Sequence, residues 1–169
     1  MSIFHRIFGN PQKERAPLQP LYRALVDRAR SPIWYEEGGV PDTLDGRFDM
    51  VAALLSLTLI RLEREGDAAK AETVLLTEIF IDDMEGTIRQ LGIGDMMVGK
   101  QVGRMVSALG GRLSAFRGDI TGAVRRNVFH DAPPTPEAEA LVCTRLSAFR
   151  DAMAAIPAEQ IIKGEVPQA

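Results

Sequence analysis

The sequence predicts an all-α protein, a single compact bundle of about six helices. Apolar residues recur at three- and four-residue spacing along most of the chain, as in Leu18, Leu21, Leu25 and Ala29. No segment alternates β-branched residues in the manner of a strand. Glycine and proline clusters, among them Gly38-Gly39, Gly92 with Gly94, and Pro133-Pro134, separate the periodic stretches. The chain has 169 residues, 46% of them apolar, which suffices for one sizeable core. Its organisation reads as an N-terminal segment over 1–17 (flexible or touching a membrane), a helical domain over 18–157, and a C-terminal tail over 158–169.

The elements follow in order. Ile3, Phe4, Ile7 and Phe8 share one side of a short N-terminal segment suited to a membrane interface. The first helix of the domain carries Pro20 in its opening turn and stops near Arg30, because Pro32 disfavours helical geometry at Ser31. A loop holding Trp34 and Tyr35 leads to Asp45, the expected cap of a helix that is apolar on nearly every side from Phe48 to Leu62. A helix of that kind belongs at the centre of a bundle. The next runs from about Ala68 to Leu91 with Leu76, Phe80, Met84, Ile88 and Leu91 inward, and Gly92 and Gly94 end it.

Asp95 is the expected cap of the fourth helix, whose apolar face is Val98, Val102, Met105, Leu109, Leu113 and Phe116. Gly99, Gly103 and Gly110 fall within about 40° of one another on a separate face. Each costs about 1 kcal/mol relative to alanine inside a helix. Close approach of another helix backbone explains them, and packing within the chain is the first expectation. The pair Gly110-Gly111 is a candidate break or kink. A short helix follows over 118–129. Thr135, Pro136 and Glu137 then supply the cap, first-turn proline and early acid of a last helix ending near Ile156.

Composition bounds the function. A lone Cys143 excludes a disulfide framework and a thiolate zinc site, in keeping with a reducing compartment. The longest uncharged apolar stretch, from Met50 to Ile60, is about half of the roughly 20 residues a membrane span needs. The first ten residues lack the apolar run and cleavage site of a signal peptide. A soluble, cytoplasmic protein is the expectation. The net charge of −3 hides blocks: +4 over 1–30, −9 over 31–99, +5 over 100–130 and −3 over 131–169. Either these blocks neutralise one another within the fold, or the basic segment faces an anionic partner.

Catalytic signatures are lacking: no Gly-x-Ser-x-Gly elbow, no phosphate-binding glycine loop, and no Cys–His pair. His5 and His130 have no ligand at metal-binding spacing, and neither a metal nor another cofactor is expected. Asp42, Asp45 and Asp49 around Gly46 lack the ligand ladder of a calcium loop. Asp82-Asp83-Met84-Glu85 has the wrong spacing for the aspartate-rich magnesium sites of prenyl-transferring enzymes. The sequence argues against an enzyme.

Longer strings carry a resemblance. Gly39-Val40-Pro41-Asp42-Thr43-Leu44-Asp45-Gly46-Arg47-Phe48-Asp49 is similar to a signature of the ubiquinol–cytochrome c chaperone family. So is Leu91-Gly92-Ile93-Gly94-Asp95-Met96-Met97-Val98-Gly99-Lys100, followed by Gly111-Arg112. The segment from Tyr22 through Ala29-Arg30 to Trp34-Tyr35, and the string Arg126-Asn127-Val128-Phe129, also fit. The resemblance spans roughly residues 18–165. Ser56, Gly110-Gly111 and the loop Glu36-Glu37-Gly38 depart from the usual pattern.

The resemblance implies an all-helical, non-enzymatic assembly chaperone. Its client would be newly synthesised cytochrome b, on the way into ubiquinol–cytochrome c reductase (complex III). The setting would be the bacterial cytoplasm or the cytoplasmic face of the inner membrane, near the ribosomal tunnel exit, with a small partner protein in mitochondrial relatives. DNA is not an expected partner. For an apolar client, Trp34, Tyr35, Gly99, Gly103 and Gly110 are the candidate contacts. Lys100, Arg104, Arg112, Arg125 and Arg126 are the candidates for lipid phosphate or ribosomal RNA. Asp42, Asp45, Arg47 and Asp95 match the signature and are expected to order loops. The rivals are a ribosome-, RNA- or membrane-surface-binding module without a chaperone role, and a small prenyl-substrate enzyme that uses Asp82 and Asp83.

Overall fold

The computed structural model describes residues 14–90, 92 and 95–168, without the side chains of Asp95 and Met96. Its helices are α1 (Gln19–Ala29), α2 (Pro32–Glu36), α3 (Leu44–Glu63), α4 (Lys70–Gln90), α5 (Asp95–Arg117), α6 (Ile120–Asn127), α7 (Pro136–Ala155) and α8 (Ala158–Ile162). Among the described residues there is no strand. The apolar N-terminal residues Ile3, Phe4, Ile7 and Phe8 lie outside the described residues, as does Leu91.

Helix α3 organises the rest. Every residue from Asp49 to Leu59 is buried, because α1, α4, α5 and α7 all pack on it. A surrounded helix must pair its own polar atoms. Ser56 Oγ therefore donates to the Ala52 carbonyl at 2.7 Å, and Thr58 Oγ1 to the Leu54 carbonyl at 2.9 Å. Phe80 of α4, Leu109 and Phe116 of α5, and Val142, Leu146, Phe149 and Met153 of α7 complete the core around it.

The ends of the helices are built by short-range chemistry. Thr135 caps α7, its hydroxyl accepting from the Ala138 N–H at 3.1 Å. Asp119 caps α6 through Thr121 N–H at 3.1 Å and Gly122 N–H at 2.7 Å. At α3 the cap is Thr43, not Asp45: Thr43 has extended backbone angles and its Oγ1 accepts from Gly46 N–H at 3.2 Å. Asp45 lies two residues further on, within the first turn, where its charge complements the positive end of the helix dipole. The side chain of Asp95, the expected cap of α5, lies outside the described residues.

Three further expectations are corrected. The stretch Pro32-Ile33-Trp34-Tyr35 is a helical turn and not a loop. Ser31 takes an extended ψ of 129° before the proline, which restarts the helix as its first residue. Gly110-Gly111 do not break α5, which runs on to Arg117. The segment after Pro157 is not a loose tail. Ile161 is fully buried, Gly164 lies against Pro20 and Leu21, and Arg28 Nε donates to the Pro167 carbonyl at 3.0 Å.

Candidate functional site

The candidate contacts separate into an interior set and a surface set. Trp34 is 0% exposed, and its Nε1–H donates to the Arg28 carbonyl at 2.8 Å. Tyr35, half-buried beside it, donates its hydroxyl to the Ala29 carbonyl at 2.6 Å. Both rings close the C-terminus of α1, whose last carbonyls have no helical partner. Trp34 is thus a core residue and is corrected as a client contact. Burial also pushes the Tyr35 phenol above its usual range.

The loop before α3 is braced rather than open. Arg47 Nε donates to Asp42 Oδ1 at 2.7 Å, and that contact holds the Asp42 carboxyl below its ordinary range. A Cβ on Gly46 would lie 1.9 Å from the Pro41 carbonyl oxygen, so only glycine lets the loop cross the first turn of α3.

The basic segment is partly neutralised inside the fold. Arg112 is 6% exposed and pairs with Asp49, itself 2% exposed, so it is corrected as a surface cation. Arg117 pairs with Glu63 at 2.7 Å. Arg125 grips Glu139 with Nε at 2.8 Å and Nη2 at 2.7 Å, holding the Glu139 carboxyl below its usual range. Among the described residues, Lys100, Arg104 and Arg126 have no such partner. The acidic run on α4 is engaged too. Arg15 contacts Glu78 and Asp82, and Tyr22 donates to Asp83 at 2.7 Å. Burial and that carboxylate push the Tyr22 phenol far above its usual range.

Asp49 is the centre that sequence reasoning missed. One carboxylate oxygen accepts from Arg112 Nη2, and Oδ2 lies 2.7 Å from His130 Nε2. An ionised carboxylate has no proton to give, so the imidazole N–H donates. Burial pushes the Asp49 carboxyl above its ordinary range, against the opposing pull of Arg112 and His130. The Arg112 guanidinium also sits 5.1 Å over the Phe48 ring, a cation–π contact. His130 reaches this point from a strained turn: it and Asp131 both have left-handed backbone angles, φ 49° and 63°. The sequence held one signal, an aspartate directly before the long uncharged run Met50–Ile60, and such a charge, once buried, needs a partner.

Arg112 Nε is buried without a hydrogen-bond partner among the described residues, a condition that costs about 1–3 kcal/mol. Phe48, Asp49 and Arg112, with Asp45, Arg104, Met105 and His130, line a cleft of about 220 Å³ between α3, α5 and the turn before α7. Among the described residues, no three His, Cys, Asp or Glu side chains converge to hold a metal ion.

The glycines of α5 behave differently from the one at 46. A Cβ built on Gly99, Gly103 or Gly110 meets nothing within 4 Å. Among the described residues nothing packs on them, against the expectation of packing within the chain. Val106, on the same face, is 42% exposed. No described helix is long and apolar enough to cross a membrane.

Comparisons with known proteins extend this picture. No curated protein matches the chain. The crystal structure of the Cbp3 homolog from Brucella abortus matches with a TM-score of 0.79 and 26% identity, over 94% of this chain and 92% of that one. The model of the family described as ubiquinol-cytochrome C chaperone matches residues 36–168, from the braced loop through α8. The chain belongs to the ubiquinol–cytochrome c chaperone family.

Proposed function

We propose that the protein is an assembly chaperone that binds newly synthesised cytochrome b and promotes its entry into ubiquinol–cytochrome c reductase (complex III). The observation that carries this reading is the family match over residues 36–168, joined by the likeness to the Cbp3 homolog over 94% of this chain. The work required is non-enzymatic. An apolar helix destined for a membrane needs its surface covered until its partners are present, because exposed apolar area drives aggregation.

The outer face of α5 suits that task. Gly99, Gly103 and Gly110 expose backbone that a client helix approaches closely, while Val106, on the same stripe of the helix, adds apolar contact. Tyr35 borders the interior at another end of the molecule and is kept as a secondary contact. Lys100, Arg104 and Arg126, without an ion-pair partner among the described residues, carry positive charge toward an anionic surface beside the client, the ribosome or the inner leaflet. Arg125 contributes its exposed part to the same charge while holding Glu139. The setting is the bacterial cytoplasm, peripheral to the inner membrane.

The test is deletion of the gene in the native host, with immunoblots for cytochrome b and assembled complex III. Both are expected to fall, with wild type restoring them and Gly103→Leu failing to do so at equal protein abundance. Normal levels of both in the deletion strain overturn the proposal.

A further inference from the structure

The cleft between α3, α5 and the turn before α7 has features that a client-binding face does not require. Its floor is apolar, from Phe48 and Met105, and its walls carry two guanidinium groups. The Arg112 side chain is 7% exposed, fixed by Asp49 on one side and the Phe48 ring on another, and it retains a buried N–H with no acceptor. Arg104 stands two helical turns before it on the same side of α5, lines the same cleft and has no partner among the described residues. Both oxygens of Asp49 are already engaged, one by Arg112 and one by His130. That carboxylate therefore competes only weakly for a second cation. Asp45 at the mouth is the acid left to oppose the positive charge.

We infer that this cleft is a binding site for one small oxyanion, a phosphate group. Arg104 makes the direct charged hydrogen bonds, and the immobile Arg112 supplies positive potential from the wall. Guanidinium is suited to this, since its planar donors match two oxygens of one phosphate. A volume of about 220 Å³ admits such a group and little more. Two sources share this chemistry, a free phosphate and the head group of a phospholipid whose chains stay outside. The inference stands apart from the chaperone reading and holds or fails without it.

The probe is inorganic phosphate, titrated into the full-length protein at constant ionic strength against sodium chloride, with the arginine Nε–H resonances followed by NMR. A saturable shift of the Arg112 and Arg104 signals is expected. Arg104→Gln, an exposed change that leaves the thermal midpoint in place, should weaken the apparent affinity about tenfold or more. Asp45→Asn should strengthen it by about two- to threefold, because a like charge leaves the mouth. Flotation with phosphatidylcholine vesicles, with and without phosphatidic acid, separates the sources. Arg104-dependent recruitment by phosphatidic acid assigns a lipid head group, and a phosphate shift without recruitment assigns a free phosphate. Arg112 and Arg104 resonances that do not move in wild type, or an Arg112 resonance that moves alike in wild type and Arg104→Gln, overturn the site.

Discussion

Two groups of glycines in this molecule stand in opposite surroundings. Around Gly38, Gly39 and Gly46 the chain folds so tightly that a Cβ meets backbone or side-chain atoms at 1.9–2.6 Å. Along α5, Gly99, Gly103 and Gly110 face empty space. The first group is accounted for inside the monomer, because the loop could not cross α3 or meet Pro134 with larger residues. The second has no account inside the described fold, although each glycine carries a helix penalty of about 1 kcal/mol. Nothing among the described residues requires that cost, and the client helix proposed above would account for it.

The largest expected effect comes from the contact that joins these two regions. Asp49→Ala leaves the buried Arg112 charge without its partner and frees the strained His130 turn. It should lower unfolding free energy by about 3–5 kcal/mol in urea denaturation. A loss below about 1 kcal/mol would mean that α3 and α5 are held together by apolar packing alone. Gly46→Ala comes next. The Pro41 carbonyl cannot yield without moving the braced loop, and a loss of about 3 kcal/mol is expected, at the upper end of overpacking costs.

Gly103→Ala should act with the opposite sign. The helix there has room for a methyl group, so the purified protein gains about 1 kcal/mol or somewhat less. If thermal unfolding instead shows a loss, α5 is packed against something within the chain, and the contrast between the two glycine groups collapses. The smallest effect concerns Arg125 and Glu139, which clasp α6 to α7. Glu139 ionises more readily in the folded protein than in the unfolded chain. Its contribution is therefore complete above the unfolded-state value and is lost as pH falls through the folded one. The melting midpoints of wild type and Glu139→Gln should differ slightly at neutral pH and converge in acid.

Much of this was legible in local spacing. The run from Phe48 to Leu62 announced a central helix because no face of it was polar, and Thr135-Pro136 announced the start of α7. Such signals depend on neighbours within a few residues. Thr43 against Asp45 as the cap was not legible in this way. Both are good acceptors, and the choice rests on how the Pro41 carbonyl meets Gly46. The short helix α8 was missed because its one buried anchor, Ile161, has too few neighbours to show a period.

What the sequence by itself determined is therefore the helical class, most of the helix boundaries and the residues each helix turns inward. Those follow from the 3.6-residue period and from caps that satisfy terminal N–H groups. Only the tertiary structure decided which charges are internal. Asp49, Arg112 and His130 meet across separations of 63 and 81 residues, and Arg112 thereby changes from a surface cation into the wall of a cleft. The tertiary structure likewise left the glycine face of α5 open among the described residues. A helical period shows that residues share a face, but what lies opposite that face is set by the packing of distant elements.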